Sequence, residues 1–241
     1  MKKNYGYALL IYFCSLLLLD LLNYIFNFRN EVLVVLSYIL FPSLLITIVY
    51  LLKEDLKVKV FDKGKASFKK TLSVIGRSFF IALAGIIIIS LVRTFFASPN
   101  ENNTTNDLIA FQMIIQMVLL GPIVEELVFR RIILNVFSKK FNIYVSIVLT
   151  SFLFSSWHMS LLSFPDLFWL SMVYSYSYYL TNRLSVPIIL HIIWNLFAYS
   201  IYLLVKWNWY RISSSRLHLR PHILNFYFMR LVSWSKIWMN C

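Results

Sequence analysis

Apolar windows of about bilayer length follow one another along this chain, separated by short polar stretches that gather most of its charges. A helix that crosses a bilayer needs about 20 mainly apolar residues. Residues 5–26 form the first such window, after Lys2 and Lys3, and lack a small-residue cleavage site, so they read as an uncleaved span. Residues 32–52 (VLVVLSYILFPSLLITIVYLL) contain no charge, and 74–97 carry Arg77 and Arg93 near their two ends. The stretch 108–138 is too long for a simple span. Gly121-Pro122 is expected to split it, because proline is best tolerated in the first turn of a new helix. Further windows run 141–157, 167–182 and 186–205, the last interrupted only by His191. The pattern predicts an all-α fold, a polytopic transmembrane helix bundle of about seven to eight spans. An eighth is either hidden near 222–241 or replaced there by an aromatic, basic element lying on the membrane surface.

Composition agrees with a membrane protein. Hydrophobic residues make up 60% of the 241 and charged ones 14%, against about 45–50% and 25% in soluble domains. The net charge of +13 would suggest nucleic acid on a soluble protein. Here it points instead to basic loops facing anionic lipid, and no nucleic-acid partner is expected. Seven lysines crowd 53–70, Arg130, Arg131, Lys139 and Lys140 are read as ending the fourth span, and Arg183 precedes the seventh, whereas 98–107 and 159–166 have no basic residue. That alternation predicts a cytoplasmic N-terminus in a multi-pass protein of a cell membrane, with bacterial codon-like usage of Asn, Ile and Lys. The expected organisation is 1–107 as N-terminal helices with a basic loop, 108–205 as a helical core, and 206–241 as a basic aromatic tail. Cys14 and Cys241 provide no disulfide framework.

The chemistry concentrates in polar residues that lipid should exclude. Glu125 and Glu126 interrupt LLGPIVEELVFRRIIL. One charged side chain near the bilayer centre costs about 2.5–3.5 kcal/mol on insertion scales, and adjacent carboxylates repel each other besides. Glu126 and Arg130 stand one helical turn apart and can form an ion pair. Glu125, about 100° around the helix, is left to face another partner. The plain alternative is that both glutamates snorkel to water near the cytoplasmic interface. His158 ends Phe154-Ser-Ser-Trp-His158, and His191 opens His191-Ile-Ile-Trp-Asn195, whose ends share one helix face. Measured from Arg130 and Arg183, Glu125 and His191 should lie about 7–12 Å beneath the cytoplasmic boundary. His158, eighteen residues from Lys140, should lie about 27 Å along its helix unless the hairpin at 136–142 extends beyond the lipid. The Tyr-rich run at 174–179 reads as helix surface at an interface or as a cavity wall.

Glu125-Glu126-Leu-Val-Phe-Arg130, Phe154-x-x-x-His158 and His191-x-x-x-Asn195, in that order and each in an apolar segment, resemble the signature of the CPBP family. This family comprises CAAX proteases and bacteriocin-processing enzymes and is also called Abi or type II CAAX endopeptidases. The resemblance covers roughly 108–205. It implies an intramembrane endopeptidase in which Glu125 activates water, His158 assists, His191 and Asn195 stabilise the oxyanion, and Glu126 with Arg130 orients the site. Polar groups from several helices would line a water-filled cavity. No cofactor is expected, although Glu125, His158 and His191 could supply a three-ligand zinc site with one open position. The expected partner is a peptide or membrane-protein substrate. Two other functions compete. One is a non-catalytic membrane partner in bacteriocin self-immunity or sensor-kinase modulation, as the resemblance also allows. The other is a proton- or ion-coupled transporter, disfavoured because the chain shows no internal repeat.

Overall fold

The computed structural model describes residues 3–27, 30–57, 60–61, 66–96 and 114–214, and every long element among them is helical. The helices are α1 (Lys3–Phe26), α2 (Asn30–Leu52), α3 (Phe68–Phe96), α4 (residues 114–138), α5 (Ile143–Trp157), α6 (Phe164–Thr181) and α7 (Ser185–Ser214). Each of the seven windows read from the sequence thus holds a helix. Four are long and apolar enough to cross a membrane: Asn4–Phe26, Val32–Leu52, Phe68–Arg93 and Ser185–Leu204. Helix α5 is apolar but shorter. Helices α4 and α6 carry the buried polar residues that make the site. The segment 222–241, where an eighth span was considered, lies outside the described residues. Helix α7 continues to Ser214, into the stretch expected to be tail, because residues 206–214 contain no glycine or proline to stop it.

Local signals explain the helix ends. Asn142, extended at ψ 160°, caps α5 by accepting from the Val145 amide at 3.0 Å. Pro165 sits in the first turn of α6, and Asn182 closes that helix in the left-handed region at φ 51°, its N–H donating to the Tyr178 carbonyl. Large apolar side chains such as Leu10, Leu17, Ile39, Ile46, Ile88 and Leu91 point outward from α1–α3, a surface suited to lipid rather than water.

Helix α4 is the axis of the bundle and touches α1, α2, α5, α6 and α7. Phe129 and Ile132, both fully buried, hold it against Tyr12 of α1 and Leu44 and Ile48 of α2. A second core joins α3, α6 and α7 around Trp194 and Leu170. The α5–α6 pair packs most extensively, and both helices bury small hydroxyl residues, including Ser146, Thr150, Ser151 and Ser155 on α5 and Ser171 and Ser175 on α6. Small residues allow close backbone approach, which drives helix association where the hydrophobic effect is absent. Two polar ties fix the ends of the bundle. Arg93 of α3 pairs with buried Asp166 of α6 and donates to the Leu162 carbonyl at 2.8 Å. At the opposite end, Arg183 donates twice to the Ala66 carbonyl, while Asn182 donates to that of Phe61 at 3.1 Å.

Gly85 on α3 gives the clearest packing test. The Trp169 indole of α6 fills the space a Cβ would occupy there, and its N–H donates to the Ile81 carbonyl at 3.2 Å. Gly85→Ala is expected to destabilise the bundle by about 1–3 kcal/mol through overpacking, read as a lower unfolding midpoint in detergent. Gly76→Ala on the same helix, where a Cβ meets nothing within 4 Å, should leave the midpoint unchanged or raise it slightly.

Candidate active site

The site grows from an irregular stretch of α4. Pro122 has no N–H to give, and the Gly121 N–H reaches back five residues to the Gln116 carbonyl. The helix therefore winds in wide π turns over Gln116–Leu120 and again over Leu127–Leu134, a geometry that often marks functional sites. The expected split at Gly121-Pro122 does not occur: the helix absorbs the proline by widening and stays continuous. Gly121 is required by close approach, since a Cβ there would lie 2.9 Å from the Gln116 carbonyl oxygen. With both of its in-helix donors lost, the Met117 carbonyl accepts instead from Asn195 Nδ2 of α7 at 2.7 Å.

Glu126 is fully buried, its Oε2 lying 3.0 Å from Arg130 Nε and its Oε1 3.0 Å from His191 Nδ1. The Arg130 contact is an ion pair without hydrogen-bond alignment, for neither atom of the pair has a hydrogen-bond partner. Arg130, also fully buried, donates through Nη2 to Ser171 Oγ at 3.0 Å. Its guanidinium lies between two aromatic rings, 4.9 Å from the centroid of Phe154 and 5.6 Å from that of Tyr174. The same rings flank the His191 imidazole, Phe154 edge-on at 6.2 Å and Tyr174 tilted at 5.1 Å. The carboxylate therefore neutralises one charge and orients one imidazole. Because it accepts from Nδ1, it assigns the proton of neutral His191 to Nδ1 and leaves Nε2 as an acceptor.

Glu125 differs from its neighbour. Its side chain is 20% exposed, and Oε2 lies 3.9 Å from His191 Nε2. That gap is too long for a hydrogen bond and of the length that a bridging water spans. Across the bundle, the Tyr12 phenol of α1 lies within electrostatic reach of Glu125, and its ring packs against that of Trp157 at 6.0 Å. Neither Tyr12 nor Tyr174 was singled out among the site residues from the sequence. Their signal would have been a hydroxyl on an otherwise apolar helix face, which in a chain with 15 tyrosines is too common to find.

The structure revises several further expectations. Arg130 and Arg131 do not end the span: both are buried, and the exposed basic turn begins at Lys139. Glu125 is fourteen residues from that turn, about 20 Å along a helix, so it lies deeper than a ruler set at Arg130 gave, and Glu126 points into protein rather than snorkelling. His191 and Asn195 do not converge on one point; the imidazole binds Glu126 while the amide binds the Met117 carbonyl. His158, at the C-terminal end of α5, turns Nδ1 to the Phe154 carbonyl at 2.8 Å, and its ring lies tilted against the Phe154 ring with centroids 4.7 Å apart. It joins the site through Phe154 and makes no ion pair with either glutamate among the described residues. Within those residues no three His, Cys, Asp or Glu side chains gather closely enough to hold a metal. Glu125, His158 and His191 as arranged therefore do not fit a zinc site.

Asn195 has a measurable structural part. Asn195→Ala removes the donor to a carbonyl that its own helix cannot satisfy, and is expected to cost about 1–3 kcal/mol, visible as reduced stability in detergent irrespective of activity.

Comparison with known proteins gives the arrangement a context. The type II CAAX prenyl endopeptidase Rce1-like family matches residues 107–197. A curated relative from Bacillus subtilis (strain 168), "Putative membrane peptidase YdiL", is 27% identical over 168 residues, which is 67% of this chain and 69% of the relative. No solved structure gives a significant match.

Proposed function

We propose that this chain, whose residues 107–197 match the type II CAAX prenyl endopeptidase Rce1-like family, is an intramembrane endopeptidase cleaving a membrane-associated peptide or protein by glutamate-activated water. The observation that carries this reading is Glu125 standing 3.9 Å from His191 Nε2 beside the buried Glu126–Arg130 pair. A peptide bond needs a nucleophile, a base and a group to receive developing negative charge. Glu125 takes a proton from water, and the hydroxide oxygen bonds to the carbonyl carbon. The resulting C–N cleavage passes that proton on to the leaving nitrogen. Glu126, held by Arg130, fixes the His191 ring so that Nε2 faces this event. His158, held by the Phe154 carbonyl, is assigned to assist the proton movement. The proposed chemistry uses no metal. Basic loops would sit against anionic lipid of a bacterial cell membrane, with no nucleic-acid partner.

The test compares the membrane proteome of cells making the wild-type protein with that of cells making Glu125→Gln. Peptide termini present with the wild type should disappear with the variant, while both proteins insert equally. Identical termini in the two samples overturn the reading. A second reading, a non-catalytic membrane partner, gains from the commitment of Asn195 to Met117. A phenotype that survives the Glu125→Gln, His158→Ala double variant would establish it.

A further inference from the structure

Helix α3 presents two unlike faces. Val74, Ala82 and Ile86 are buried in the core shared with α6 and α7. The opposite face is exposed and changes character along its length. Its first turns carry Lys69, Lys70, Ser73, Gly76 and Arg77, all exposed. Beyond them the same face continues as Phe80, Ile87 and Leu91, also exposed, because steps of three and four residues keep a stripe on one side of a helix.

Arg77 is the residue that this face must account for. Sixteen residues separate it from Arg93, about 24 Å of helix, less than the roughly 30 Å of a bilayer's hydrocarbon core. Both arginines therefore cannot have their backbones at headgroup level. Arg93 is provided for by Asp166 and the Leu162 carbonyl. Arg77 is exposed, and among the described residues no carboxylate pairs with it, with Lys69 or with Lys70. A cation at such depth is stabilised by reaching the interface and a counter-charge there. Gly76 leaves the space beside Arg77 open, since a Cβ at that position meets nothing within 4 Å.

We propose that this face of α3 binds one anionic phospholipid, its phosphate held by Arg77 with Lys69 and Lys70 and its acyl chains lying along Phe80, Ile87 and Leu91. The order of the residues matches that of the lipid: cations, then small residues that admit a headgroup, then apolar side chains at the depth of the chains. The planar fork of arginine suits phosphate, to which it can donate two parallel hydrogen bonds. A soluble anion would engage the cations and leave the apolar continuation without a part. The site lies within a spanning helix rather than in the basic loops, and it stands whether or not the chain cleaves peptides.

The experiment uses the full chain purified in a neutral detergent and supplied with dioleoyl phosphatidylglycerol, dioleoyl phosphatidylcholine or inorganic phosphate. Native mass spectrometry counts the retained lipid, and the unfolding midpoint reports its effect. The wild type is expected to retain one phosphatidylglycerol with about tenfold preference over phosphatidylcholine, and Arg77→Gln to weaken that retention about fivefold, the usual effect of one cation near an anionic surface. Lys69→Gln with Lys70→Gln reads the same contact from its other side and should weaken retention as well. Lys139→Gln with Lys140→Gln, exposed cations on α4, should leave it unchanged. Without added lipid all variants should melt with the wild type, since none of the replaced side chains is buried. Retention by Arg77→Gln within about twofold of wild type overturns the assignment, being smaller than the loss of one such cation allows. An equal loss in the Lys139, Lys140 control overturns it too, as does equal retention of the two lipids, which would reduce the face to general bilayer contact. A midpoint raised as much by inorganic phosphate as by phosphatidylglycerol overturns it in favour of a soluble anion.

Discussion

An Arg130→Met variant is expected to lose about 3–5 kcal/mol of folding stability, the usual consequence of leaving one partner of a buried ion pair uncompensated. Arg130 and Glu126 are both fully buried, and their carboxylate–guanidinium contact is 3.0 Å. Methionine fills most of the volume between the Phe154 and Tyr174 rings but leaves the Glu126 charge facing only His191. Adding Glu126→Gln to Arg130→Met should recover much of the loss, because the stranded charge is then gone; the two sites are in contact, so their effects will not add. Arg130→Lys should not rescue, since an ammonium cannot lie flat between two rings while also reaching Ser171. Unfolding titrations in mixed micelles measure all three variants. A single Arg130→Met variant within about 1 kcal/mol of wild type would contradict the account of the pair, given the size of effect expected for it.

Glu125→Gln is expected to act on rate instead. The amide matches the carboxylate in shape and cannot accept a proton from water, so the loss should approach the 10²–10⁴-fold typical of a general base. Stability should change little, since Glu125 is 20% exposed and makes no direct hydrogen bond to His191 at 3.9 Å. Two adjacent glutamates are thus predicted to separate cleanly. Position 125 should fail in kinetics with a normal melting curve, whereas position 126 should fail in both. Initial rates of product formation in reconstituted vesicles, set beside micelle unfolding, distinguish this from a site in which the two carboxylates are interchangeable.

Much of the helix layout could be read directly from the order of residues, because a chain threaded through lipid must place apolar runs of fixed length end to end. The ion pair between Glu126 and Arg130 followed from a spacing of four, which persists even though the helix widens just after Glu126. What the spacing could not reveal was depth. Arg130 and Arg131 were read as marking a water boundary, whereas aromatic rings and hydroxyls supplied by α5 and α6 allow both to sit inside the protein. The Tyr-rich run shows the same limit. Tyr174 and Tyr178 turn inward at 1% exposure while Tyr176 stays outside at 43%, and only the partner helix determines which face is which. The consequence of Gly121-Pro122 was also hidden, since a helix break and a helix widening begin from the same missing N–H.

The Met117 carbonyl carries a mechanical consequence. Among the described residues it accepts from Asn195 of α7, and neither Gly121, already bonded to Gln116, nor Pro122 can replace that donor. If α7 ratcheted past α4 by one turn, about 5.4 Å, that carbonyl would lose its side-chain donor with no substitute from its own helix. The two helices are thereby indexed along their lengths. Admission of a substrate between them must come from tilting or pivoting about this pin, and sliding along the axes is the one movement the bundle is built to refuse.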